Sequence, residues 1–359
     1  MRVIHKSFIT TMKSKIHYYK LLSCLSENFY RAKRKYLFLL ILLSVSIISA
    51  QENYEFTHYT ASDGLSINFV TKVLQDSHGF IWIGTTNGLN RFDGYNFKIF
   101  EPDRGDTNSI SSRLIMDMCE DKYGFIWIAT PNGLNRYDVA SEKFKKYKHK
   151  IDNGNSLSSN YVISLCLDKE GTLWAGTING FNRYNRESDD FYIIRKVSDR
   201  LNPDSLNSVT DVIEDFKGNL WLGTWNGLTY MNKSGKILKQ FFDQPASKKK
   251  FEYRITSVLF EDKDRNIWIG TNGQGIKKYN PSTGAFKVYT SSPNNPNSIS
   301  NGYITAILQD NNNNLWIGTN NGLNRYDAHK ESFTRISNDP NKSSSLIANG
   351  VNSLMHDKS

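Results

Sequence analysis

The chain is short of the features that mark most functional classes. It has three cysteines, Cys24, Cys119 and Cys166, in 359 residues, and nothing with metal-ligand spacing. No apolar run reaches the roughly 20 residues a membrane helix needs; the run from Tyr36 to Ala50 falls short of it. A general excess of positive charge is also missing. Of the net +10, residues 1–50 hold nine Lys/Arg and one Glu, or +8, which leaves 36 Lys/Arg against 34 Asp/Glu, or +2, for the rest. That balance gives no support for nucleic-acid binding, and Lys248-Lys249-Lys250 reads as a solvated loop.

What the chain has instead is repetition. The phrase Ile81-Trp82-Ile83-Gly84-Thr85 returns around Trp127, Trp174, Trp221, Trp268 and Trp316, at spacings of 45, 47, 47, 47 and 48 residues. A period in that range means a repeat architecture. Six residues before each Trp stands an Asp (Asp76, Asp121, Asp168, Asp215, Asp262, Asp310), and three after it a Thr. Two after it stands Gly, with Ala129 the exception. Within one unit, Val70 to Leu74 alternates as a strand does, Asp76 to Gly79 turns, and Phe80 to Gly84 is a second strand. Thr86-Asn87-Gly88 signals a hairpin with a type I′ turn, and Leu89 to Phe92 and Phe97 to Phe100 complete four antiparallel strands. The expected fold is therefore all-β, a β-propeller of four-stranded antiparallel blades. The Trp reads as packing between adjacent blades, the Asp as a turn former, and the small residue as room for close sheet approach. Cys119 and Cys166 fall at an apolar core position, as buried free thiols or as a disulfide between neighbouring blades.

The two ends differ from the repeats. Basic residues 31–35, the apolar run and the small residues ending at Ala50 describe a signal peptide cut after Ala50, or an uncleaved signal anchor. The expected organisation is an N-terminal extension and leader over 1–50 and a propeller over 51–359. Tyr54 to Thr60 resembles the fourth strand of a blade and is expected to complete the last one, sealing the ring. Ala348 to Asp357 matches the opening of a repeat, so six complete blades and the start of a seventh are expected, with a seven-bladed ring in a longer protein.

Asn108-Ser109-Ile110-Ser111-Ser112, Glu120 to Ile128 and Asn132 to Asp138, with the same phrase again from Asn297 to Asp327, resemble the two-component regulator propeller repeat. The resemblance runs from about residue 56 to the end of the sequence. It implies the periplasmic sensor half of a hybrid histidine kinase, signalling as a homodimer and responding to oligosaccharides. It implies no cofactor and no metal. The kinase signatures, a phospho-accepting His box and a Gly-rich ATP lid, are not found in these residues, nor is a second apolar span, so membrane attachment would come through the leader or through parts outside this sequence.

The ligand would sit where loops gather, on the face shared by the turns between second and third strands and the loops leading into each first strand. Four residues after each Trp stand Thr86, Pro131, Ile178, Trp225, Asn272 and Asn320, and Trp225 is the aromatic exception, suited to stacking on a sugar ring. Arg113 and Arg254, at the start of first strands, suit acidic sugars; Tyr161 and Tyr303 are further candidates. The alternatives are a protein-interaction scaffold and a polysaccharide-active enzyme. No carboxylate pair or His/Tyr set stands outside the repeat pattern, so no catalytic residue is assigned.

Overall fold

The structure is a computed structural model in which residues 54–194, 208–225, 227–241 and 255–357 are described; the leader and Arg254 lie outside them. Each Trp unit folds as one four-stranded antiparallel sheet with its strands in sequence order, six sheets in all. Blade 1 comprises Val70–Gln75, Ile81–Thr85, Gly88–Phe92 and Phe97–Phe100. The first strands of blades 2 to 6 are Asp117–Glu120, Val162–Leu167, Val209–Glu214, Thr256–Glu261 and Ile304–Gln309. Each first strand packs on the first strand of the next blade, which arranges the sheets about a common axis.

The recurrent residues explain the blade. Asp76 Oδ1 accepts the N–H groups of His78 and Phe80 and shapes the first turn, while its Oδ2 accepts the Trp82 indole N–H at 2.8 Å. The indole bond recurs in all six units. The Asp is thus a turn former and also the partner that lets a polar indole be buried. Trp82 stacks on Phe100 of its own blade and meets Tyr137 of the next edge-on, at 5.6 and 5.2 Å. Trp127–Tyr184, Trp221–Tyr279 and Trp268–Tyr326 repeat the edge-on contact between neighbours. Gly at the second position after Trp makes the approach possible. A Cβ on Gly84, Gly223 or Gly270 would stand 2.6 to 2.7 Å or less from the next blade's Ile115, Thr256 or Ile304 side chain or its own first strand.

The hairpin between second and third strands differs from expectation. Thr85 pairs with Gly88 across a two-residue loop, yet only the glycine has positive φ, at 123°. Asn87 stays out of the left-handed region because its N–H is held by the Thr85 hydroxyl, which itself donates to the Gly88 carbonyl. The invariant Thr therefore replaces the type I′ geometry with a side-chain-bonded turn. The same pair of bonds recurs at Thr130, Thr177 and Thr319.

Residues 54–60 do not form the expected strand: Phe56 makes one isolated bridge and the rest is irregular. Among the described residues there is no third strand of a seventh blade for it to pair with. His58 instead bonds the Ser345 carbonyl at 2.7 Å, and Tyr59 packs on Phe92 and Phe97. The final residues continue the inter-blade pattern. Val351 N–H bonds Thr319 O at 3.0 Å, as Ile115 N–H bonds Thr85 O, and Val351 lies against Gly318 as Ile115 lies against Gly84. On the other side Asn352 donates to the Val70 carbonyl at 2.9 Å, and the Val73 N–H donates to Ser353 Oγ at 3.2 Å. Residues 351–357 thus bridge blade 6 and blade 1.

Candidate functional site

The turns between second and third strands and the loops leading into first strands share one face. Within a blade, the N–H four residues after the Trp bonds the carbonyl just ahead of the first strand: Thr86 to Phe69, Ile178 to Tyr161, Asn272 to Ile255 and Asn320 to Tyr303, at 3.1 to 3.3 Å. Between blades, Gly88 N–H bonds Arg113 O and Gly133 N–H bonds Asn160 O, both at 2.7 Å. Each lead-in loop is also pinned to its own third strand. Asn90 accepts the Ser66 N–H and donates to its hydroxyl, and Asn135, Asn182 and Asn324 hold Ser111, Ser158 and Ser300 in the same way through the backbone N–H. The backbone of this face is bonded at these positions within and between blades, and its side chains vary from copy to copy.

Three of the five sequence-derived candidates bring aromatic surface to that face. Trp225, in the turn of blade 4, is 44% exposed, while its neighbour Trp221 is buried. Tyr303 is 38% exposed and Tyr161 half-buried, at equivalent positions of blades 6 and 3. Phe69, at that same position in blade 1, is 56% exposed and was missed by the sequence reading, although its place thirteen residues before the Trp matches that of Tyr161 and Tyr303. Ile178, 39% exposed, adds apolar surface in the blade before Trp225. Arg113 is on the face but is not free for an acidic ligand: it bonds Glu101 at 3.2 Å and Asn87 at 3.4 Å. The fifth candidate, Arg254, lies outside the described residues.

A second set of chemically distinctive residues lies at the axis. Lys72 of blade 1 donates to Asp117 of blade 2 at 2.8 Å, and Asp211 holds the equivalent position in blade 4. Desolvation pushes the Asp211 carboxyl up to about 6, with Asp117 adding to the rise and Lys72 opposing it. The signal in the sequence was a charged residue in an otherwise apolar or hydroxylic first-strand position, ten before the Trp. Among the described residues, no group of three His, Cys, Asp or Glu could hold a metal ion. Cys119 and Cys166 are free thiols, and burial pushes Cys166 up to about 12 and Cys119 well above its usual value. No helix among the described residues is long and apolar enough to cross a membrane.

Comparison with known proteins agrees with this geometry. The Two component regulator propeller model matches six times, over residues 64–87, 109–132, 156–179, 204–226, 251–273 and 298–321. A 69-residue stretch is 42% identical to Histidine kinase P4 of Formosa agariphila, covering 19% of this chain and 5% of that protein. Among solved structures, the extracellular domain of a protein described as a hybrid two component system, BT3049 of B. thetaiotaomicron, superposes with a TM-score of 0.71 and 25% identity, over 85% of this chain and 39% of that one. The extracellular domain of BT4673 from the same organism gives 0.66 and 26%, over 85% and 38%. Virginiamycin B lyase from Staphylococcus aureus shares the fold alone, at 0.55 and 15% identity over 74% and 83%. The chain therefore spans well under half the length of the signalling proteins it matches.

Proposed function

The chain belongs to the two-component regulator propeller family, and on that premise we propose that it is the extracytoplasmic ligand-sensing propeller of a two-component signalling protein, reading an oligosaccharide on the face that carries Trp225. The observation that carries this reading is the set of exposed rings Phe69, Trp225 and Tyr303, with Tyr161 half-exposed, on a face whose backbone is rigidly bonded. Flat apolar rings with polar neighbours suit the apolar faces of sugars, and the neutralised Arg113 removes one cation that an acidic ligand would need. The segment 351–357 supports a seven-position ring, because it repeats the contacts of a first strand on both of its sides. Export through the leader and attachment to a kinase outside this sequence complete the reading, as does homodimeric signalling.

The test uses the indole itself. Trp225 is the one exposed Trp among the seven in the chain, so a stacked sugar should change its fluorescence more than that of the buried and half-buried indoles. A screen of neutral and acidic oligosaccharides should give a saturable change and a rise in melting temperature, with about 2.7 kcal/mol gained at 100 times Kd. Trp225→Ala should abolish the fluorescence change and weaken binding by about 1–3 kcal/mol with the fold intact. Unaltered melting with every glycan, together with capture of a defined protein on this face, would replace sensing by the scaffold reading; conversion of the glycan would replace it by an enzymatic one.

A further inference from the structure

An asparagine followed by glycine can react with its own backbone, because no Cβ shields the glycine nitrogen. The pair occurs nine times in this chain, and the fold leaves one copy, in the lead-in loop of blade 3, poised for that reaction. We propose that Asn153–Gly154 is a self-modifying site, which passes through a succinimide to aspartate and isoaspartate and so places a carboxylate in the loop leading to Tyr161. This does not depend on which ligand the face takes.

The turn assembles the reacting groups. Asn153, Gly154 and Asn155 are all exposed. Asn153 Oδ1 accepts the Asn155 N–H at 2.9 Å. The small ring closed by that bond contains both Asn153 Cγ and the Gly154 nitrogen, so the attacking and attacked atoms are held near each other. The same N–H points at the oxygen that gains negative charge when the nitrogen adds. The Gly154 N–H has no hydrogen-bond partner among the described residues, and a Cβ on this glycine would meet nothing within 4 Å. In the reaction the Gly154 nitrogen bonds Asn153 Cγ, the Cγ–Nδ2 bond breaks, and the Gly154 proton leaves with Nδ2 as ammonia. Water then opens the ring at either carbonyl, its hydroxyl going to that carbon and its proton to the nitrogen. Water enters, ammonia leaves, and nothing is oxidised or reduced.

Other copies lack one or another of these conditions. Gly88, Gly133 and Gly322 spend their N–H groups on carbonyls of the next lead-in loop, at 2.6 to 2.7 Å. Asn349 and Gly350 are open, but Asn349 Oδ1 accepts the Asn338 N–H at 2.7 Å and not one ahead of it. Asn301 makes the same turn, with Tyr303 N–H at 2.8 Å, yet Gly302 is buried, with Gly273 O 2.5 Å from where its Cβ would stand. Two other lead-in loops repeat the turn with the chemistry blocked. Asp106 Oδ1 accepts the Asn108 N–H at 2.8 Å and is already an acid. Asn295 Oδ1 accepts that of Asn297 at 3.0 Å, but Pro296 has no N–H to react. In all three loops a serine hydroxyl ties the carbonyl of the first residue, as Ser156 ties that of Asn153 at 2.8 Å. Asp106 therefore shows that an aspartate at 153 keeps the turn. Isoaspartate does not, because its main chain runs through Cγ and takes the carbonyl that Ser156 holds out of the backbone.

Peptide mapping by mass spectrometry tests this, on the whole folded chain aged in mildly alkaline buffer made with heavy-oxygen water. Label should enter Asn153 at least about tenfold faster than Asn87, Asn132, Asn321 or Asn349. In denaturant the rates should converge. Gly154→Ala should suppress the conversion at unchanged melting temperature, since the space around this glycine is open. Asn155→Pro removes the N–H but keeps the exposure, and should slow conversion by about tenfold. Proteolysis within 148–160 should rise with the isoaspartate fraction and stay unchanged in Asn153→Asp. If Asn155→Pro does not fold, the comparison of Asn153 with Asn349 in the unaltered chain still carries the test. Equal labelling of those two asparagines in the folded chain, or undiminished labelling in folded Asn155→Pro, would overturn the proposal.

Discussion

At the scale of single residues, the pairing of Asp with Trp six places on is the chemistry that repeats. Asp76→Ala would orphan the Trp82 indole N–H and two backbone N–H groups at once. An unsatisfied buried donor costs about 1–3 kcal/mol, so the chemical-denaturation midpoint should fall by at least that much at unchanged m-value. Cys119 and Cys166, half-buried and with their thiols raised, should be alkylated slowly at pH 8 until the chain unfolds; rapid labelling of native protein would contradict this. Asp211 gives a pH prediction with a definite sign. Its folded form holds the proton more tightly than the unfolded chain, so the carboxylate costs stability above pH about 6, and the cost vanishes as the pH falls toward 3.8. Asp211→Asn, which can still accept the Leu259 N–H, should raise the melting temperature at pH 7 and leave it nearly unchanged at pH 4.

At the scale of elements, the fourth strands fasten neighbouring blades by a device the sequence did not disclose. Lys98 pairs with Glu142, Lys145 with Asp189 and Lys287 with Glu331, each a cation on one blade's last strand and an acid in the next blade's final turn. All three acids have positive φ, between 50° and 56°. Asp189 also takes the Tyr147 and Tyr184 hydroxyls and Arg136, and these partners outweigh burial to hold its carboxyl down at about 2. A depressed carboxyl contributes stability above 3.8 that disappears as the pH falls toward 2. Asp189→Ala should lower stability at pH 7 by about 1–2 kcal/mol, reduced by its partial exposure, and should narrow the loss between wild type and variant in acid. The strands themselves were legible because alternation, Asp-Gly turns and the Trp phrase each point to the same register. These fasteners were not, because which residue of the next blade faces Lys145 depends on how closely the blades stand.

At the scale of the molecule, the period alone predicted the propeller of sheets, and the small residue two after each Trp predicted close approach. Gly270→Ala tests that closeness: its Cβ would lie 2.5 Å from Val258 and 2.7 Å from Ile304, so the variant should lose about 1–3 kcal/mol. The shared face of turns and lead-in loops was also legible, and with it Trp225, Tyr161 and Tyr303. Phe69 was legible by the same count, since it stands thirteen residues before its Trp as Tyr161 and Tyr303 do. Arg113 was read as available because its pairing with Glu101, twelve residues before it, depends on the path of the loop between them. The axial charges escaped notice for the opposite reason: the comparison sought what the copies share, and their position varies from copy to copy.

The stitching around the axis is uneven. From blade 3 onward hydroxyls and an amide do it, each reaching one carbonyl of the next unit: Ser164 to Val209, Thr210 to Thr256, Ser257 to Ile304, Thr305 to Val351 and Asn352 to Val70. The relay stops at Thr71, whose hydroxyl is buried without a partner, and the equivalent residues of blades 2 and 3 are Met116 and Ile163. There the ions take over, Lys72 to Asp117 and Asp117 to the Leu165 N–H. One arc of the circle is therefore sewn with neutral thread, while the arc from blade 1 to blade 3 relies on charge. A ring built of near-identical parts has in this way acquired a front seam.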